Sequence, residues 1–160
     1  MPTLEFEKVR SQLDDFLGSL LRAGRFHLKF LIQAGRGDGP EVLVEMDGED
    51  ADLLLAHGGE MLAALEHLAA KFLHLSVEEQ SLLSFDCHDY KTLHEEELRL
   101  MAATAAERVA RSSSPFSLNP MNSRDRRIIH LALKDHPSVR TESEGNGPGR
   151  KVVIYPQKQN

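Results

Sequence analysis

Asn122-Ser123-Arg124-Asp125-Arg126-Arg127-Ile128-Ile129-His130 is the stretch on which the reading of this 160-residue chain turns. Asn122 or Ser123 can accept a hydrogen bond from a first-turn amide, and Pro137 helps to end a helix, so one is predicted from about Ser123 to Lys134. On that helix Arg126 and His130, four residues apart, project from one face a single turn from each other. Ile128, Ile129, Leu131 and Leu133 supply the side that a core would bury. Arginine can clamp a phosphate with two hydrogen bonds or stack on a base, and a histidine beside it can hydrogen-bond or stack. The bland alternative is a helix-surface pair held by a structural hydrogen bond.

Upstream of this helix, Ser112-Ser113-Ser114-Pro115 is the best boundary in the chain, and Phe116 to Leu118 reads as a short strand. Downstream, Val139 to Ser143 and Lys151 to Tyr155 flank Glu144-Gly145-Asn146-Gly147-Pro148-Gly149 and read as a hairpin. A module of about 46 residues has little core of its own, so it is expected to lean on the helix before it.

Charge singles out the same region. The chain carries a net −6, which alone would repel a phosphate backbone. Residues 1–114 hold 11 Lys and Arg against 21 Asp and Glu, whereas residues 115–160 hold 8 against 4. Salt screens fields beyond about 8–10 Å, so a basic C-terminal face can act beside acidic neighbours. Arg124, Arg127, Arg150 and Lys151 lie close in sequence to Arg126 and His130 and are candidates for phosphate contact. Gly145 to Gly149 is equally a plain turn or a loop that lets a phosphate approach.

The N-terminal part reads as helix, hairpin, two helices, strand and helix. Leu4 to Leu21 has apolar residues at gaps of three and four, with Gly24 where the helix would stop. Phe26 to Ile32 and Glu41 to Met46 read as strands around the turn cluster Gly35 to Pro40. Ala51 to Ala56 is a short helix, interrupted by His57-Gly58-Gly59 before a longer one from Glu60 to Leu73. Leu82 to Cys87 is a strand and His94 to Arg111 a helix. The fold class predicted is α+β: a three-stranded sheet with packed helices, then a small α/β module.

These features resemble a known family. The segment from Asn119 to Pro156, with Arg126-x-x-x-His130 and Gly149-Arg150-Lys151-Val152-Val153-Ile154-Tyr155, is similar to the R-x-x-x-H single-stranded nucleic-acid-binding domain. It resembles in particular the version in the bacterial Jag, or SpoIIIJ-associated, proteins, where it follows a KH domain. Residues 5–111 fit the KH element order, and Asp50 to Leu65 its helix–loop–helix. The resemblance implies a KH-like domain over 1–111 and an R-x-x-x-H domain over 112–160, without the extra N-terminal domain of many members. It implies binding of single-stranded RNA, or DNA, and post-transcriptional regulation, often with a small KH-domain protein as partner.

One departure bears on function. A KH domain holds about four nucleotides on a GXXG loop, where glycine allows close approach and a basic residue helps. Here the tetrad is Ala56-His57-Gly58-Gly59, with no Lys or Arg and with Glu60 next. The alternative is therefore a protein-interaction adaptor, or a dimerisation module through self-association, whose KH half no longer binds RNA.

Other chemistry is not expected. A single cysteine, Cys87, allows no intrachain disulfide and no cysteine-rich zinc site. In Asp86-Cys87-His88-Asp89 a strand would turn Cys87 and His88 to opposite faces. His94 to Glu97 reads as a solvated helix start. No nucleophile–base pair, phosphate loop or ligand set appears, so neither an enzyme nor a cofactor or metal is predicted. There are seven Phe, two Tyr and no Trp, mostly at core positions, which leaves no extended stacking platform. Without an apolar run of about 18 residues or an apolar N-terminus, the expectation is a cytoplasmic protein with no membrane insertion.

Overall fold

In the computed structural model, which describes residues 4–37 and 39–157, the chain forms two compact units, Met1–Lys91 and Thr92–Asn160. The architecture is α+β, as predicted.

The first unit opens with α1 (Phe6–Ala23), which buries Val9, Leu13, Leu17 and Leu21 at intervals of four. β1 (Leu28–Ala34) and β2 (Val42–Gly48) pair antiparallel, from Leu28 opposite Gly48 to Ala34 opposite Val42. β1 starts two residues later than the alternation suggests. Arg25, in the left-handed region at φ 55°, lets the Phe26 amide donate to Leu21 O (3.0 Å), so Phe26 still closes the end of α1. Of the expected turn cluster, Asp38 lies outside the described residues.

α2 spans Ala51–Phe72 but is broken at Ala56–Gly59. β3 (Leu83–Cys87) then lies parallel to β2, giving the sheet order β1-β2-β3. Alternate side chains Val42, Val44, Met46, Leu83, Phe85 and Cys87 are buried with Leu54, Leu62, Leu65 and Ala69 of α2 and the inner row of α1. At the outer edge of β3 the Phe85 amide donates to Glu66 (2.8 Å), which also pairs with Lys91 (2.6 Å).

The second unit is built on α3 (Tyr90–Ser112), whose first two residues belong to the first unit. β4 (Phe116–Ser117), α4 (Ser123–Leu133), β5 (Val139–Glu144) and β6 (Lys151–Pro156) come next. The three strands form an antiparallel sheet in the order β4-β6-β5. Leu98, Ala102, Ala105, Ala106 and Val109 of α3 share one core with Leu118, Ile129, Leu133, Val139, Val152 and Ile154.

The serine stretch 112–115 is thus not where the compact units divide. The module does lean on the preceding helix, and so closely that the helix is part of it. The alanines of α3 give the sheet side chains a flat surface to pack on. Leu131 also departs from expectation, at 60% exposed. Ile129 and Leu133, one turn apart, define the buried line of α4, and Leu131 falls on the far side.

Candidate nucleic-acid interface

The N-terminus of α4 is fixed from two sides. The Asn122 side chain accepts from the Asp125 amide (2.9 Å), as a helix cap should. The Asp125 carboxylate turns inward, is buried, and meets His94 Nε2 of α3 at 2.9 Å. Three arginines therefore surround an acid that faces the core, and the outer surface of this turn is left basic.

Arg126 is half-buried and donates through Nη1 to the Met121 carbonyl (2.9 Å). The Met121 amide in turn donates to the Arg150 carbonyl (3.2 Å), so the start of β6 is tied to the approach to α4. Arg124, Arg127 and Arg150 are exposed. Lys151 is the exception among the candidates. It neighbours the core residue Val152, so it leaves β6 on the opposite face of the sheet, in register with Glu144. Among the described residues, none of Arg124, Arg126, Arg127, Arg150 and Lys151 takes part in an ion pair, whereas Arg99, Arg111 and Arg140 each do.

His130 sits one turn beyond Arg126 and is half-buried. Its Nδ1 lies 2.7 Å from Thr141 Oγ1 and its Nε2 2.7 Å from Ser143 Oγ, both on β5. Burial, and then the neighbouring Arg126 charge, push its pKa below the ordinary histidine value, so the ring is neutral at neutral pH. The sequence held a signal for half of this pairing: Thr141 and Ser143, two apart on a strand, share a face, although nothing local sets them against His130. It held none for Asp125 with His94, separated by 31 residues, or for the part of Met121.

In the first unit Ala56 stays extended (φ −59°, ψ 153°), while His57, Gly58 and Gly59 are all left-handed, at φ 53°, 71° and 74°. Ala56, His57 and Gly58 are not buried, whereas Gly59 packs against Tyr90, where a Cβ would lie 2.6 Å from the ring. Across the strand end, Cys87 is buried and His88 is exposed on Asp47 (2.9 Å). No group of three or more His, Cys, Asp or Glu among the described residues could hold a metal ion. No helix of the described residues is long and apolar enough to cross a membrane.

Residues 96–156 match the R-x-x-x-H domain family, a range that begins within α3 and ends with β6. RNA-binding protein KhpB of Clostridium symbiosum is 32% identical over 120 residues, covering 75% of this chain and 54% of that protein. RNA-binding protein KhpB of Bacillus subtilis (strain 168) is 31% identical over 115 residues, 71% of this chain and 55% of the relative. The protein of the same name from Streptococcus pneumoniae serotype 2 is 27% identical over 111 residues, 69% and 34%. The chain spans about half the length of the first two relatives. The chain thus contains a segment that matches the R-x-x-x-H domain and is similar in sequence to RNA-binding protein KhpB.

Proposed function

We propose that this chain binds single-stranded RNA through the second unit, on the surface of α4 that carries Arg124, Arg126 and Arg127 together with Arg150. The observation that carries this reading is the set of cations around α4 that make no ion pair among the described residues, with Asp125 turned inward, inside the region that matches the R-x-x-x-H domain. Thr92–Asn160 holds 11 Lys and Arg against 8 Asp and Glu, and Met1–Lys91 holds 8 against 17, so moving the boundary leaves the charge asymmetry in place. Arg126 forms the centre of the site with His130 beside it, whereas Lys151, on the opposite face of the sheet, lies outside it. Single-stranded DNA is the close competitor, since only a contact to the 2′-hydroxyl separates the two. The chain acts as a binder without catalysis, in post-transcriptional regulation in the cytoplasm.

The first unit is proposed to be a KH-like domain. Its order of helix, two strands, broken helix pair and strand supports this, as does the exposed Gly58 at the break. A second reading concerns this unit alone. Its excess of nine acids over bases (17 against 8), and a loop with no Lys or Arg, favour a protein partner, either a small KH-domain protein or a second copy.

The test is a titration of labelled poly-U and mixed single-stranded RNA oligomers at increasing salt. At about 0.7 counterions released per phosphate, three to five contacts predict a log–log slope of about −2 to −4. Arg126→Ala should weaken binding by about 1–3 kcal/mol, the range of a charge-assisted hydrogen bond. Absence of binding at low salt would overturn the RNA-binding reading.

A further inference from the structure

We propose that His130 is a positioning residue of the RNA-binding face: its ring fastens α4 to the Thr141 and Ser143 hydroxyls of β5, fixing the direction in which Arg126 is presented, and itself touches no RNA. The proposal rests on the RNA-binding reading above and refines it, because it assigns the two residues of the Arg-x-x-x-His pair different work.

Hydrogen-bonding capacity is the first argument. A neutral imidazole has one donor and one acceptor. Both nitrogens of His130 already lie 2.7 Å from a hydroxyl, so in this geometry one donates, the other accepts, and nothing remains for a ligand. The ring is half-buried, and its neutral form is favoured by burial and by Arg126, so it offers a phosphate no charge. Arg126 is the opposite case. A guanidinium has five N–H donors, and only one hydrogen bond, to the Met121 carbonyl, is made among the described residues.

Geometry is the second. α4 has 11 residues, about three turns, and its fully buried apolar side chains, Ile129 and Leu133, lie on one line, with Ile128 partly buried on one side of it and His130 on the other. Asn122 and the Asp125–His94 pair hold its first turn. So narrow an apolar stripe resists sliding better than rolling. Rolling by about 20° would carry a group roughly 6 Å from the helix axis through about 2 Å, several times what a two-pronged phosphate contact tolerates. His130, beside the Ile129–Leu133 line and bonded to two residues of β5, is placed to stop that roll.

The experiment uses the full chain and a poly-U oligomer. Thr141→Val with Ser143→Ala removes the partners and leaves His130 in place. If His130 positions α4, this double variant and His130→Ala should each lose about tenfold in RNA affinity, the equivalent of one to two net hydrogen bonds. The triple variant should lose no more than either, and His130→Gln, which can keep one bond, should fall between wild type and His130→Ala. In the wild-type protein, the ring nitrogen resonances of His130 should stay in place when RNA is added while the Arg126 side-chain Nε resonance moves. A contact role would invert these results. The His130 ring signals would shift with RNA, or the hydroxyl variant would bind as well as wild type while His130→Ala did not, and either outcome overturns the proposal. Should the wild-type protein bind no RNA at all, the RNA-binding reading fails first and the proposal falls with it.

Discussion

Gly58 and Gly59 share a backbone conformation, at φ 71° and 74°, but not an environment, and this makes a paired measurement possible. Alanine in the left-handed region costs about 1–2 kcal/mol, so Gly58→Ala, whose Cβ would meet nothing within 4 Å, should lose about that much. At Gly59 the new Cβ would lie 2.6 Å from Tyr90 Cε1 and 3.2 Å from Cζ, well inside the contact distance of about 3.5–4.0 Å. Overpacking of this kind adds about 1–3 kcal/mol, so Gly59→Ala should lose about 2–5 kcal/mol. Urea unfolding followed by circular dichroism gives the totals. Amide hydrogen exchange at Leu54, Leu62 and Leu65 assigns the loss to the first unit, which is needed because two compact units need not unfold together. Tyr90→Leu should recover part of the Gly59→Ala loss and none of the Gly58→Ala loss. Equal destabilisation by the two glycine substitutions would refute the reasoning, since Tyr90 could not then be lying on Gly59.

Ala56→Gly with His57→Lys and Glu60→Gln changes the same loop without touching Gly59, and should strengthen RNA binding by about 1–2 kcal/mol in a manner that salt abolishes; no gain in a folded protein would place the first unit off the RNA path. Asn122→Ala should cost about 1 kcal/mol in thermal or urea denaturation by uncapping α4, whereas Asn122→Ser should be nearly neutral. His130 titrates lower in the folded chain than its ordinary value, so the unfolded chain takes up the proton first. Its contribution to stability is complete above about pH 6.5 and is lost as pH falls through and below that value; His130→Gln should therefore show a shallower loss between about pH 7 and pH 5 than wild type.

Much of this architecture is legible in local pattern. The helix from Ser123, its Asn122 cap and the break at His57-Gly58-Gly59 depend on neighbours a few residues away, and each stands where those neighbours place it. α3 starts four residues earlier than expected. His88 and Asp89 both adopt left-handed conformations and turn the chain into the helix, which the alternation of β3 could not show. Hydrophobicity alone would bury Leu131, but four apolar residues within six positions are more than one face of a helix can hide. Ser112-Ser113-Ser114-Pro115 has the composition of a linker, yet the contacts that bind α3 to the second sheet are long-range and move the division between units upstream. Of the candidate site, the position of Arg126 one turn from His130 is legible. That His130 is saturated by Thr141 and Ser143 depends on the register between α4 and β5, which no local signal encodes.

β5 forms an outer edge of the second sheet, and edges are where extended chains recruit one another. Beyond Val139 this strand offers a visitor little to stack on. One row, Thr141 and Ser143, is occupied by His130; the other carries Arg140, Glu142 and Glu144. Arg140 is paired with Glu142 and lies over the Tyr155 ring, and Glu144 accepts from the Tyr155 hydroxyl. A second strand docking here would lay its own side chains over a row of fixed charges, and its gain in backbone hydrogen bonds would come without apolar burial. The residues that hold α4 in place thus belong to a strand that resists edge-to-edge aggregation.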